Sequence, residues 1–376
     1  MFLPHNQETI RMPEKTLPVG VVEIVSEELA KDKEGREFTR RMVRVGDESD
    51  RDPAMRQVFR ERANADEMQL ILNPEWGGPY IGEDGILVIN PANTPARRLY
   101  LDGDGKPTQM FEWGSQLKKA IALEGLQNLK KGGRFLTLGE LDHRTLELFT
   151  HMPDGIGLRS RQRIYSNLLV DYSLTSSTGN FLRIASLGSG AAVPNIEATE
   201  AIEALGKSVA WLQYELDPGA LYSAGLMIAS SNIQRSTFDF GPRNDADAAQ
   251  QTGFEFQGRS YLGAREVEDG SLDAIDALGL WEYLTDKQAV AFLRTLYPKL
   301  KPGASMIVSN MLQSRPHPQY NQRAVGWPDL YMRTEEDMLR IVEQAGIPTK
   351  NVRLTYAEDG VYVVMEITRG GELDGA

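Results

Sequence analysis

Leu182-Arg-Ile-Ala-Ser-Leu-Gly-Ser-Gly-Ala-Ala-Val-Pro-Asn195 is the stretch on which the fold turns. An apolar run, Leu182–Leu187, leads into Gly188-x-Gly190 and then into a helix beginning near Asn195. Glycines are needed where a strand bends sharply into a helix and a ligand lies against the backbone. A Gly-x-Gly pair alone is weak evidence, because strand-to-helix turns use glycine anyway. The segment Val209-Ala-Trp-Leu-Gln-Tyr-Glu-Leu-Asp-Pro218 strengthens it. It reads as a second strand that ends in acid about 25 positions after the glycines, where a carboxylate can accept both hydroxyls of a ribose. Glu215 stands at that position, the alternative being a solvated residue at a strand end. Asp217, followed by Pro218, reads as the N-cap of the next helix.

Downstream, strands are expected at Leu182–Leu187, Val209–Tyr214, Ser271–Leu278, Ala304–Asn310, Val352–Tyr356 and Val361–Thr368, with helices between most of them. That alternation predicts a largely parallel sheet covered on both faces. Only Ala357-Glu-Asp-Gly360 separates the last two, so they form a hairpin and one strand is reversed. A nicotinamide-binding sheet does not normally end that way.

On these residues the chain resembles the class I S-adenosylmethionine-dependent methyltransferases, over roughly 200 positions by the extent of a Rossmann-like unit. Ser271-Leu-Asp-Ala-Ile-Asp-Ala-Leu-Gly-Leu-Trp-Glu-Tyr-Leu284 is similar to the family's fourth strand and the active-site turn after it. Leu296-Tyr-Pro-Lys-Leu-Lys-Pro-Gly303 is similar to the entry into strand five, and Gly326 to Gly346 to the last crossover helix. The wording from Gly279 to Arg333 is similar to a bacterial branch associated with fatty-acid methyl ester signalling factors. The resemblance implies an α/β fold with a Rossmann-like seven-stranded mixed sheet, six strands parallel and the last one reversed, after a mixed β and helical N-terminal region. It implies S-adenosylmethionine as cofactor and in-line methyl transfer to a small-molecule or lipid-like acceptor.

For the cofactor, the resemblance points to Gly188, Ser189, Gly190, Glu215, Leu216, Tyr261 and Leu280. Trp281, Tyr283, Tyr165, Tyr172 and Arg333 are candidates to line the acceptor pocket. His317, in Ser314-Arg-Pro-His-Pro, and Glu282 are the candidate catalytic groups, since an oxygen or nitrogen nucleophile needs a base. Three of these have a structural alternative: His317 as a loop residue between prolines, Trp281 as core, Arg333 as a helix-start ion pair. The chain also departs from the family. Ser186 stands where an acid usually ends strand one, and Ala192 replaces a third glycine. Nothing in Gln257-Gly-Arg-Ser-Tyr-Leu262 supplies the acid expected after strand three, and Phe238–Gln251 reads as an insertion.

The 376 residues allow three parts: 1–112, containing β-like runs; a helical cap or linker, 113–175; and the cofactor-binding domain, 176–370. Glu27 to Asp52 is dense in charge and is expected to be exposed or partly mobile. Short β-like runs such as Gln69-Leu-Ile-Leu72 and Gly85-Ile-Leu-Val-Ile89 follow. Asp102-Gly-Asp-Gly105 reads as a hairpin turn, because Pro107 and Trp113 stand where a calcium loop needs glycine and a bidentate glutamate. Helices are expected over Ser115–Lys131, Gly139–His151 and Leu158–Ser173. The cluster Arg159, Arg161, Arg163 reads as a solvated helix face.

There is no cysteine, which excludes disulfides, thiolate metal sites and cysteine nucleophiles, and no metal ligand set is expected. A formal charge of −12 makes nucleic acid a poor partner. No apolar run approaches the roughly 20 residues that span a bilayer, and the polar N-terminus does not read as a signal peptide, so cytoplasmic location is expected. A homodimer is compatible with the pattern. Two other readings stay open: an aminopropyltransferase-like enzyme using Asp273, Asp276 and Glu282, and a catalytically inactive cofactor-binding scaffold.

Overall fold

Twelve strands order the described residues: β1 Val22–Lys31, β2 Glu37–Val45, β3 Tyr80–Ile81, β4 Leu87–Val88, β5 Phe181–Leu187, β6 Ser208–Tyr214, β7 Thr237–Asp239, β8 Gly253–Phe256, β9 Leu272–Ala277, β10 Leu300–Met311, β11 Val352–Ala357 and β12 Tyr362–Thr368. The helices used below are α1 Pro53–Leu72, α2 Glu124–Gln127, α3 His143–His151, α4 Pro153–Thr175, α5 Val193–Ala204, α6 Pro218–Ser230, α7 Asp286–Leu296 and α8 Glu335–Gln344. The computed structural model describes residues 17–72, 80–81, 87–88, 101, 104–110, 113, 120–129, 141–175, 179–233, 237–239, 252–325 and 330–370.

Ten strands form one sheet in the order β1-β2-β11-β12-β10-β9-β5-β6-β8-β7. The seven from β11 to β8 in that order contain the expected arrangement: β12 pairs antiparallel with both neighbours, and the other six run one way. The count of seven is corrected to ten. β7, from the segment read as an insertion, adds a parallel edge strand, and the rest of that segment, residues 240–251, lies outside the described residues. At the other edge the hairpin β1–β2 docks through β2, parallel to β11.

That hairpin leaves Glu27, Glu28 and Leu29 exposed, as expected, but gives its part of the charged stretch from Glu27 to Asp52 a fixed strand register in place of mobility. Its register sets Glu23 opposite Arg44, Glu27 opposite Arg41, Glu28 opposite Arg40 and Lys31 opposite Glu37. Each of these pairs closes as an ion pair, at 3.3, 2.5, 3.3 and 2.9 Å. The charge density is a cross-strand ladder, each rung contributing a few tenths of a kcal/mol up to about 1 kcal/mol.

Helices α7 and α8 bury Phe292, Leu293, Leu339 and Val342 on one face of the sheet, and α4, α5 and α6 bury Leu168, Leu169, Ile196, Ile202 and Met227 on the other. A third apolar cluster joins Phe59 and Leu70 of α1, Trp113, Leu126, Leu148 and Phe149 to Met311 and Tyr362. Those last two residues pair where β10 ends and β12 begins, so N-terminal elements cover that end of the sheet. Gln69–Leu72 belongs to α1, not to a strand. Phe59, Ala63, Asp66 and Leu70 are its buried positions, a helical period that a four-residue window cannot show. α4 begins at Pro153 rather than at the expected Leu158, because proline fits a helix's first turn. Asp142 caps α3 through the Thr145 amide, which moves its start from Gly139 to His143; Gly139 itself lies outside the described residues, as do 115–119 and 130–131 of the expected helix Ser115–Lys131, whose described part holds a 3-10 turn, Ala120–Leu123, followed by α2.

The reading of Arg159, Arg161 and Arg163 as a solvated face is reversed: all three are buried. Arg159 grips Asp47 with two hydrogen bonds, at 2.7 and 2.9 Å, and donates to the carbonyls of Leu126, Phe149 and Thr150. Arg163 pairs with Asp47 and Glu48. Burial works against charge on Asp47, yet the Arg159 guanidinium and the Ser49 amide hold it well below the usual carboxylate range. These contacts fasten α4 to the segment just after β2.

Candidate functional site

The chain passes from β5 to the β6 side of the sheet and later returns to β9 on the other side of β5. Open parallel sheets place ligands beyond the strand ends at such a switch. A cleft of about 220 Å³ lies there, lined from β5 and its turn by Ser186, Gly188, Ser189, Gly190 and Ala191, and from the β6 tip by Glu215. Asp276, Leu278, Gly279, Leu280 and Tyr283 line it from β9 and the turn after, Asn195 from α5, Gln127 from α2, and Arg161 from α4.

The turn is left-handed at Gly188 (φ 66°), Gly190 (φ 56°) and Ala192 (φ 57°), so Ala192 keeps a glycine-like conformation at the third position. A Cβ on Gly188 would stand 3.2 Å from the Cβ of Leu280, a tight contact added to the left-handed torsion that favours glycine there. The amides of this turn point inward. Gly188 and Ser189 donate to the Tyr214 carbonyl at 2.8 and 3.3 Å, Ala192 donates to the Ser189 carbonyl, and Gly190 donates to the Glu215 carboxylate at 2.8 Å. The other Glu215 oxygen accepts from the amides of Leu216 and Asp217, at 2.7 and 2.9 Å. Glu215 is therefore held in one orientation at the cleft wall, while Asp217 caps α6 as expected.

Asp276 sits at the floor, opposite Ser186 in the β5–β9 register. Ser186 Oγ donates to one carboxylate oxygen at 2.9 Å and the Tyr165 hydroxyl to the other at 2.7 Å. Burial pushes this carboxyl up to about 7, against the pull of those hydrogen bonds and of Arg161. Arg161 donates to the Leu278 carbonyl and Ser309 Oγ, lies 3.8 Å from Glu282, and leaves its Nε without a hydrogen-bond partner.

Among the expected site residues, Gly188, Ser189, Gly190, Glu215, Leu280 and Tyr283 come together in this cleft. Leu216 projects into solvent and meets the site only through its amide. Tyr261 packs on the Phe292 ring, away from the cleft wall. Trp281 is fully buried against Phe292 and under the Arg333 guanidinium, so it is core. Arg333 pairs with Asp286 at 3.0 Å and donates to the carbonyls of Trp281 and Leu284, so it staples α7 to the start of α8 instead of facing an acceptor. Tyr165 reaches the cleft only through Asp276. Tyr172 lies at the opposite end of β9, beside Asp273.

Neither candidate catalytic group lines the cleft. His317 has Nδ1 3.2 Å from Glu67 and borders a separate small recess with Arg56, His151 and Asp359. Its flanking prolines and α1 carry the loop away from the β9 turn. Glu282 is buried behind Arg161, accepts a hydrogen bond from the Met311 amide, and is pushed up to about 7 by burial. Asp276 and Arg161 were not assigned to the cofactor site by sequence reasoning. One available signal was helical geometry: residues two apart on a helix point about 200° apart, so Arg161 cannot share a face with Arg159 and Arg163. Among the described residues no group of three or more His, Asp or Glu could hold a metal ion, and no helix is long and apolar enough to cross a membrane.

No protein-family model matches the chain, and no curated protein matches it. Solved structures similar to it include a possible exported protein from Bordetella parapertussis, at 14% identity over 85% of this chain and 97% of that one, TM-score 0.48. Magnesium protoporphyrin IX methyltransferase from Synechocystis PCC 6803, with bound S-adenosylmethionine, is similar at 14% identity over 56% and 83%, TM-score 0.36. A Leishmania major S-adenosylmethionine-dependent methyltransferase is similar at 12% identity over 78% and 96%, TM-score 0.39. At these scores no activity passes from those proteins to this chain.

Proposed function

We propose that the cleft binds S-adenosylmethionine and that the protein transfers its methyl group to a small-molecule acceptor. The observation that carries this is the pairing of Glu215 with a glycine turn in which four amides are already used. A dinucleotide site needs free amides aimed at a diphosphate. Here the amides of Gly188, Ser189, Gly190 and Ala192 are satisfied within the protein. The carboxylate fixed at the tip of β6 suits a ribose diol in a nucleoside without phosphate. The reversed β12 agrees with this reading.

Bound there, the cofactor would supply a methyl group already activated on a sulfonium. The chain's part is then alignment and exclusion of water. Glu215 would hold the ribose, and the close contact of Gly188 with Leu280 would set the cleft floor. Leu123 and Gln127 flank the opening from the N-terminal side, and Tyr283, half-exposed at the rim, is placed to meet an acceptor. Residues 113–175 would thus act as a cap over the cofactor domain.

The aminopropyltransferase reading keeps one of its three acids in the cleft, Asp276. Asp273 is neutralised by Lys301 at 2.8 Å, at the far end of β9, and Glu282 stands behind Arg161. Calorimetry with S-adenosylhomocysteine tests the cofactor, and a labelled-methyl assay over acceptor classes tests transfer. Binding without transfer to any acceptor would favour the scaffold; no binding would end the proposal.

A further inference from the structure

The large sheet ends differently at its two edges. β7 closes one edge with three residues, whereas β1 runs along the other for ten, Val22–Lys31, and pairs only with β2 among the described residues. An unpaired strand of that length presents a row of amides and carbonyls on which another strand can build, and natural edges are commonly blunted against this by bulges or charges. β1 carries both. Its bulge lies between Ile24 and Ser26, so Ser26 to Lys31 keeps a regular register with β2. Leu29, within that regular part, is the most exposed large apolar side chain among the described residues, at 70%.

The charges decide what fits this edge. When a sheet continues through a two-fold axis perpendicular to it, the two edge strands run antiparallel and each residue meets one from the same pleat face. With the axis on Leu29, that residue meets its own copy, Glu28 meets Ala30 and Glu27 meets Lys31. Inside the hairpin Arg41 already pairs with Glu27, and Glu37 with Lys31. Across the seam the row would read Arg41, Glu27, Lys31, Glu37, alternating in sign, and symmetry supplies it twice. Moving the axis by one residue spoils the match. On Glu28 it sets that carboxylate against itself, and on Ala30 it sets Glu28 against Asp32.

We propose that β1 pairs with β1 of a second copy of this chain, antiparallel and in the register centred on Leu29, so that two sheets join into one. The seam is short, Glu27 to Lys31 on each strand, so the dimer is weak and depends on concentration. Four strands separate β1 from β9, so the seam leaves both candidate clefts open.

Sedimentation velocity on the full chain from about 1 to 200 μM, the range suited to a small interface, should show the mass rising toward twice that of one chain. Leu29→Lys places two ammonium groups on the axis and should weaken association about tenfold or more. Its urea-unfolding midpoint should stay that of the parent, because position 29 is exposed. The chain has no cysteine, so Leu29→Cys reads the register directly. Directly opposite residues stand about 4.5–5.5 Å apart between Cα atoms, within disulfide reach, and mild oxidation should give a covalent dimer. Glu23→Cys is the control: in this register it lies roughly 40 Å from its own copy and should remain uncrosslinked. A parent that stays monomeric throughout that range, a dimer indifferent to Leu29→Lys, or equal cross-linking of the Glu23→Cys and Leu29→Cys proteins would each overturn the proposal.

Discussion

Replacing Glu215 separates the two things its carboxylate does. It closes the glycine turn, accepting amides from Gly190, Leu216 and Asp217 within 2.9 Å, and it would accept the ribose diol. Hydrogen bonds to a charged acceptor are worth roughly 1.5–3 kcal/mol each, so losing two from the ribose has an upper bound of about 3–6 kcal/mol. Water entering the vacated space recovers part of that. Glu215→Ala should therefore weaken S-adenosylhomocysteine by about tenfold or more, at least 1.4 kcal/mol. The turn amides also lose their acceptor, so urea unfolding should show a stability loss of about 1–3 kcal/mol. Glu215→Gln keeps one carbonyl oxygen and should fall between the parent and Ala in both measurements. Isothermal titration at fixed pH, with unfolding curves on the same preparations, reads both effects. Unchanged affinity in Glu215→Ala, alongside the expected stability loss, would show that Glu215 only shapes the turn and that the ribose assignment is wrong.

Asp47→Ala leaves the Arg159 charge buried without its bidentate partner and should cost about 3–5 kcal/mol in urea unfolding; a loss below about 1 kcal/mol would show that α4 is not fastened through this pair. His317→Ala should leave S-adenosylhomocysteine affinity and methyl transfer unchanged, because His317 faces Glu67 in another recess; a large fall in turnover would restore it as a base. Deleting residues 1–165 removes Arg161 as well as the β1–β2 edge, so the remainder should lose S-adenosylhomocysteine binding, and tight binding by the truncated chain would refute that. The pH dependence has a defined sign. Burial pushes Asp276 up to about 7, above the ordinary carboxylate value, so its share of stability is present below about pH 4 and is lost as pH rises toward 7, which urea unfolding over that range reads. The loss should shrink in Asp276→Asn, and separately in Glu282→Gln, the other acid beside Arg161 that burial has raised. A flat parent profile over that range would contradict it.

The edge hairpin shows where local reading stopped. Glu27, Glu28, Arg40 and Arg41 are as charged as any solvated segment, and nothing within a short window distinguishes a ladder from a polar tail. Their complementarity exists only once a turn at Asp32 to Gly35 folds one run back on the other. The same limit applied to the arginine cluster. Its three members have distant partners: Asp47, over a hundred residues away, shared by Arg159 and Arg163, and the Leu278 carbonyl for Arg161.

By itself the sequence determined what short-range physics controls. Period-two apolar runs ending in Gly188-x-Gly190 and in Glu215 specified β5, β6 and the glycine turn, and four residues at Ala357–Gly360 forced the reversal of β12. Backbone torsion, strand pleat and turn length act over a few residues, so they are written locally. Tertiary structure alone decided which distant groups meet. It joined β1 and β2 to the far edge of the sheet, removed His317 from the cleft, and brought Arg161 to its wall beside Asp276. Those outcomes depend on burial and charge pairing between segments over a hundred residues apart. A charge's worth is set by the dielectric and partners around it after folding, which no local pattern of residues records.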